Sequence, residues 1–163
     1  MSQPIAKFHE EVSAKIPALT LLTNLGYVFI PPEQAAQMRD SLSSVVLVDV
    51  LRDVLAQQTF EHQGQSYPLS ASAIDKIVHQ LAFPPMNEGL KAANEKLYNA
   101  FTYGVGVTEF IDGKKVSPTI QVIDWEHPEN NRYHFTEEFE VTNAHGIGKR
   151  IPDIGCLDRK SVV

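Results

Sequence analysis

Gly104-Val105-Gly106-Val107-Thr108-Glu109-Phe110-Ile111-Asp112-Gly113-Lys114-Lys115-Val116 is where the apolar period of the chain changes. Val105, Val107, Glu109 and Ile111 occupy alternate positions and so share one face of a strand. Asp112-Gly113 is a two-residue hairpin signal, because a type I′ turn needs positive φ at both central positions. The spacing predicts a return strand from Val116 to Trp125.

Upstream of Gly104 the period is helical. Pro4–Lys15 spaces Ile5, Phe8 and Val12 three to four apart, and Pro17 suits the first turn of a second helix, Ala18–Leu25. Gly26 is placed to end it in the left-handed C′ conformation. Tyr27-Val28-Phe29-Ile30 reads as a short buried strand closed by Pro31-Pro32, with a short helix over Glu33–Met38. From Ser44, a helix places Val45, Val48, Leu51 and Leu55 on one face. Gln63-Gly64-Gln65 is a turn or loop. Ser72 and Asp75 resemble a capping box ahead of Ile74, Ile77, Val78 and Leu81, and Pro84-Pro85 stops that helix. The next helix, Glu88–Tyr103, is expected to bury Leu90, Leu97 and Phe101.

Downstream, His127-Pro128-Glu129-Asn130-Asn131 is a second turn region. Arg132–Thr142 alternates again, Asn143–Lys149 is a polar loop, and Ile151–Leu157 reads as a last strand. The expected class is α/β (α+β mixed), with residues 1–104 mainly helical and 105–157 mainly strands, in one domain spanning 1–163.

Composition narrows the function classes. The 163 residues carry 14 Lys+Arg against 20 Asp+Glu, 14 − 20 = −6, with 43% hydrophobic and 21% charged residues. A chain of this length buries about 70% of its unfolded surface and needs no staples. One cysteine, Cys156, excludes an internal disulfide framework and a Cys-rich zinc site. No apolar run approaches the ~20 residues that span a bilayer, and Met1–Lys7 lacks a signal-peptide core, so no membrane and a cytoplasmic location are expected. The acidic balance argues against gripping nucleic acid by bulk charge.

Several local patterns read as structure. Gly104-Val105-Gly106 lacks the third glycine of a dinucleotide loop, and Gly146-Ile147-Gly148-Lys149 lacks nucleotide-loop spacing; both are turn glycines. The histidines show no ligand spacing, although His127, His134 and His145 would meet Asp124 if the strands gathered them. Cys156, between Gly155 and Leu157, reads as an inert core thiol with no cation to lower its pKa. No G-x-S-x-G elbow is present.

Arg150-Ile151-Pro152-Asp153-Ile154-Gly155-Cys156-Leu157 is different. An aspartate opening an apolar strand is expensive to bury unless something pairs with it, and a divalent cation is one such partner. Metal-assisted phosphodiester hydrolysis needs such an Asp, a further carboxylate and a Lys. The plainer alternative is a strand-start Asp receiving backbone N–H groups at a turn.

Asn94-Glu95-Lys96-Leu97-Tyr98, Ile123-Asp124-Trp125-Glu126-His127-Pro128-Glu129-Asn130-Asn131, Phe135-Thr136-Glu137-Glu138-Phe139-Glu140-Val141 and Arg150-Ile151-Pro152-Asp153-Ile154 together resemble the N-terminal region of type I restriction endonuclease R subunits. Ala18-Leu19 to Leu25-Gly26-Tyr27 resembles the opening helix of that family. The likeness covers most of the chain, in the same order. It implies a PD-(D/E)xK nuclease-like mixed sheet flanked by helices, with Asp153 as the catalytic, metal-binding carboxylate. It also implies Mg2+ for cleavage of double-stranded DNA, and ATP for the full-length subunit, whose downstream domains drive translocation. No ATP site lies in these residues. The implied partners are DNA and the modification and specificity subunits.

The chain departs from the family after Leu157. There the family turns through an apolar hairpin into a strand ending Glu-x-Lys, whereas here Asp158-Arg159-Lys160-Ser161-Val162-Val163 follows. Asp158 does not replace the missing Glu. Five extended residues separate it from Asp153, about 16 Å at ~3.3 Å per residue, and the two have opposite parity. A metal held at ~2.0–2.6 Å from each ligand does not bridge that gap. Residues 158–163 are therefore expected to be an altered or truncated tail on a domain cut before its last catalytic strand. The fragment alone is then inactive, and an open edge beside Ile151–Leu157 invites a strand-edge dimer. The early helical Glu of the family stays unassigned, because Glu10 and Glu11 sit farther ahead of Leu25-Gly26-Tyr27 than the pattern expects. Two other readings remain open: a non-catalytic α+β module docking partner subunits or DNA, with Asp153 structural, and a nuclease-like relative that binds DNA without cutting.

Overall fold

The computed structural model describes residues 11–143 and 148–157. A single π-helical turn, Glu11–Lys15, runs into α1 (Ile16–Asn24), with Pro17 in its first turn as expected. Gly26 takes φ 90° after α1. The Gly26 N–H donates to the Thr23 carbonyl and the Tyr27 N–H to the Leu22 carbonyl, the paired bonds of a Schellman ending. The stretch 27–30 is an edge rather than a buried strand: β1 is Val28–Phe29, 58% and 43% exposed, and only Ile30 turns inward.

Next come α2 (Pro32–Gln37), α3 (Val48–Ala56) and the hairpin β2 (Thr59–His62) and β3 (Gln65–Pro68). The helix expected from Ser44 begins four residues later, because Ser44, Val46 and Leu47 are buried in irregular chain that leads into it. Gln63 and Gly64 have φ 52° and 76°, so the turn expected there closes a two-stranded hairpin. Helix α4 (Ala71–Ala82) is capped by Ser70, whose Oγ accepts from the Ala73 N–H; Asp75 pairs outward with Arg52 instead of closing a capping box at Ser72. In α5 (Leu90–Tyr103) Ala93 and Ala100 are buried, and the expected Leu97 and Phe101 are partly buried against the core. Leu90, in the first turn, is 68% exposed rather than buried.

The deciding stretch forms β4 (Val105–Gly106) and β5 (Glu109–Ile111), and Asp112-Gly113 turns with φ 48° and 75° into β6 (Lys114–Val116) and β7 (Thr119–Ile120). The return strand expected over Val116–Trp125 instead starts at Lys114, breaks between β6 and β7 at Ser117-Pro118, and ends at Ile120. Proline has no N–H to donate, yet its carbonyl still accepts from the Val107 N–H. Val105, Val107 and Glu109 do share a buried face. The Glu109 carboxylate accepts from the Ser70 N–H at 2.9 Å, placing a negative charge at the positive end of α4.

After a 3₁₀ turn at Pro128–Asn130 come β8 (His134–Glu137), β9 (Val141–Thr142), β10 (Lys149–Arg150) and β11 (Ile154–Leu157). Strand β8 is central in a three-stranded mixed sheet, with β1 parallel on one side and β11 antiparallel on the other. The fold is thus mixed α/β, with small sheets flanked by helices. One apolar core joins α3, α4, α5 and β2–β7; a second gathers Ile30, Ala35, Leu47, Phe139 and Leu157 under the mixed sheet.

Candidate active site

Asp153 immediately precedes β11 and is exposed, so no desolvation cost demands a buried partner. Its backbone is held firmly. Strand β8 ends at Glu137, and Glu138 takes φ 49°, uncommon for a side-chain-bearing residue and cheap only where the surroundings fix it. In that bend the Glu138 N–H donates to the Asp153 carbonyl and the Phe139 N–H to the Pro152 carbonyl, both at 3.2 Å. The strand-start aspartate is therefore tied to the bend through its carbonyl.

Glu137 lies opposite Ile154 in the ladder. From the turn before α1, the Lys15 ammonium reaches Glu137 at 2.8 Å and Glu138 at 3.6 Å. Lys15 and Glu137 are only 20% and 30% exposed, yet such a pair near the surface is worth about 1 kcal/mol at most. The Glu137 and Glu138 carboxylates at the end of β8 and the Lys15 amine thus lie at the end of the sheet where Asp153 precedes β11. The sequence pattern gave no sign of Lys15 in this role, because the pairing joins residues far apart in the chain.

Beneath this end lies Arg39, only 7% exposed. One guanidinium nitrogen donates to the Ser44 and Glu140 carbonyls at 3.2 and 2.9 Å. The guanidinium carbon stands 4.2 Å from the centre of the Phe139 ring, while the buried Nε has no partner among the described residues. Burial lowers the Arg39 pKa from its ordinary value, and the Glu140 charge opposes the shift. No feature of the sequence pointed to Arg39.

Other expectations resolve differently. Cys156 is exposed, not a core thiol: Gly155 and Leu157 turn inward, so alternation turns Cys156 outward. His127, His134 and Asp124 do not form a ligand set, and His145 lies outside the described residues. Asp124 instead organises its own loop. Its carboxylate accepts from the His127 N–H and the Asn130 amide at 2.9 Å each, and Asn131 brackets its backbone. His134 sits on β8 with a buried Nδ1 that has no partner among the described residues. Burial first, then the Arg132 charge, hold its pKa below the ordinary value. Gly104 and Gly106 are not turn glycines: Gly104 ends α5 at φ 85°, where a Cβ would stand 2.7 Å from the Ile120 carbonyl oxygen, and Gly106 lies within β4; Gly146 lies outside the described residues.

A metal ion does not fit the described residues as they stand. No three His, Cys, Asp or Glu side chains among them come together to hold one. Asp158 and Glu10 lie outside those residues. Among the described residues no helix is long and apolar enough to cross a membrane.

Residues 7–161 match the family described as Type I restriction enzyme R protein N terminus. The chain belongs to that family. It is 30% identical over 146 residues to the type I restriction enzyme HindI endonuclease subunit of Haemophilus influenzae. That match covers 85% of this chain and 13% of the relative, so the chain spans a small part of the relative's length. No solved structure matches. Within the matched residues the fold places two of the quoted stretches, 135–141 and 150–154, against each other through the Glu138–Asp153 and Phe139–Pro152 bonds.

Proposed function

We propose that this chain is the N-terminal nuclease region of a type I restriction R subunit. In this reading the fold is a PD-(D/E)xK-like domain, and Asp153 is the catalytic and metal-binding carboxylate that it contributes to Mg2+-dependent cleavage of double-stranded DNA. Downstream domains of the full-length subunit supply ATP-driven translocation, and the modification and specificity subunits supply target recognition, in the cytoplasm. The observation that carries the reading is Asp153 itself. In a chain of this family, it is exposed and immediately precedes a strand of a mixed sheet, with its backbone bonded to the bend after β8. One carboxylate is short of a metal site, so the remaining ligands come from outside the described residues.

The test uses the full R subunit assembled with its partner subunits, a plasmid carrying the target, ATP and Mg2+. Asp153→Ala is expected to reduce cleavage more than about 100-fold, since residues behind a metal ligand already cost 10–100-fold. ATP hydrolysis should persist. Cleavage at the wild-type rate overturns the assignment.

A second reading, a non-catalytic docking module, is favoured by one observation. Ile16, Leu21, Leu25 and Val28 on and beside α1 and β1 are 50–64% exposed, an apolar surface of the kind that marks contacts with other chains. Under that reading Leu21→Glu with Leu25→Glu blocks assembly with the partner subunits, while Asp153→Ala leaves cleavage intact.

A further inference from the structure

We propose that the pocket between the end of α3 and the start of β8 is a binding site for a phosphate group, with Arg132 and Gln57 as the side chains that hold it. The pocket measures about 220 Å³ and is lined by Val54, Gln57, Gln58, Asn130 and Arg132. None of the five carries a carboxylate, in a chain whose net charge is −6. The inference rests neither on the nuclease reading of Asp153 nor on a metal ion. His134 lies opposite Leu157 and Glu137 opposite Ile154, so Arg132 and Asp153 flank opposite ends of the β8–β11 ladder.

Each polar side chain of the lining is fixed by a hydrogen bond. Arg132 Nη2 donates to Gln57 Oε1 at 3.1 Å. Gln58 Nε2 donates to the Gln121 carbonyl and Asn130 Nδ2 to the Asp124 carboxylate, each at 2.9 Å. The acids of the adjoining loop are engaged there: Asp124 also accepts from the His127 N–H, and Glu129 lies 3.4 Å from the His127 ring. What remains is a surplus of donors. A guanidinium has five N–H groups, and Gln57 takes up one nitrogen of Arg132. Because Gln57 accepts through its oxygen, its NH2 is the end left to donate. A guanidinium and an amide NH2, fixed side by side with no carboxylate in the lining, match an oxyanion. The Arg132 fork alone would satisfy the two coplanar oxygens of a carboxylate, whereas a phosphate has a further oxygen for Gln57. Pockets for drug-sized ligands run to about 300–1,000 Å³, so this one takes a group rather than a whole molecule. Its rim residues Gln57, Asn130 and Arg132 are exposed, which leaves the rest of a ligand outside. The plainer role for Arg132 is electrostatic: Gln57 caps the end of α3, where a cation complements the helix dipole.

The test titrates inorganic phosphate into the chain in Mg2+-free buffer at constant ionic strength, following the Arg132 guanidinium and the His134 ring by NMR. Phosphate should shift the Arg132 signals to saturation. It should also raise the His134 midpoint, because burial first and the Arg132 charge second hold that pKa below its ordinary value. Arg132→Gln is expected to weaken binding about 10–100-fold, the range for hydrogen bonds to a charged group, and Gln57→Leu about 10-fold. Arg132→Lys, a point charge without the fork, should fall between wild type and Arg132→Gln. If one variant does not fold, the other position decides together with the wild-type titration. Two further arms identify the source of the phosphate. If it belongs to nucleic acid, a short DNA duplex moves the same Arg132 signals, and Arg132→Gln lowers the slope of log affinity against log salt by about 0.9. If it belongs to a free nucleotide, thymidine monophosphate moves them and the duplex does not. The proposal is overturned if saturating phosphate leaves the Arg132 signals and the His134 midpoint unmoved, or if chloride or acetate acts equally. It is also overturned if Arg132→Gln binds phosphate as wild type does while losing stability, the mark of a cation that serves only the helix end. Asp153→Ala is expected to leave phosphate binding unchanged, so failure of this proposal and failure of the nuclease reading are read separately.

Discussion

The two cores of this molecule differ in what they are made of. The larger one, under α3, α4, α5 and β2–β7, is closed by aliphatic side chains such as Leu51, Leu55, Ile77 and Val122, all without exposed surface. Its buried charge, Glu109, is answered by an N–H at a helix end. The smaller core, under β1, β8 and β11, rests on Ile30, Ala35, Leu47, Phe139 and Leu157 and shares its interior with a guanidinium. It also carries a left-handed glutamate and the exposed aspartate. The first region has the character of a scaffold. The second spends apolar burial on holding charged groups in place, which is what a site requires of its surroundings.

The strongest way to break that contrast is to cut one buried leucine from each side. Leu55→Ala should lower global stability by about 2–5 kcal/mol, the range for buried leucine, with protection falling in α3 and α4 together. Leu157→Ala removes a side chain equally buried. Its effect should be smaller globally and concentrated in fast exchange at Ile30, Glu138 and Phe139. If both variants lose the same stability and the same amides, the two cores are one cooperative unit and the distinction fails.

A subtler effect is expected from pH. The His134 pKa is lower in the fold than in the unfolded chain, so the unfolded state binds its proton more readily. Stability therefore falls as pH drops through the ordinary histidine value near 6.5 and continues to fall toward the lower folded pKa. His134→Leu should flatten that part of a denaturation profile. A profile unchanged by the substitution would show that His134 does not carry the slope.

The smallest effect is predicted at the surface. Lys15→Ala should cost about 1 kcal/mol or less, with the loss shrinking as salt is added. A cost of several kcal/mol would mean that the end of the mixed sheet is organised by charge rather than by Arg39 and Phe139.

The legible parts of the fold were local. The Gly26 ending of α1, the Asp112-Gly113 hairpin, the buried stripe of α4 and the alternation of Val105, Val107 and Glu109 depend on residues a few positions apart, and all are found. The misread parts sat where neighbours in space overrode local pattern. Leu90 fits a helical stripe but stands at its exposed start. Cys156 sits among apolar residues, yet Gly155 and Leu157 take the inward face. Ser44 has the local pattern of a helix start, but its carbonyl is taken by Arg39 and the helix begins at Val48.

By itself, then, the sequence determined most of the helices, the tight turns and the family. Helical bonds and two-residue turns close within a few residues, so their chemistry is written in adjacent letters. Only the tertiary structure decided that β1 pairs in parallel with β8, that Lys15 meets Glu137, and that Arg39 grips a carbonyl 101 residues away. Those contacts depend on which surfaces meet once the cores have closed, and no short-range period in the chain encodes that.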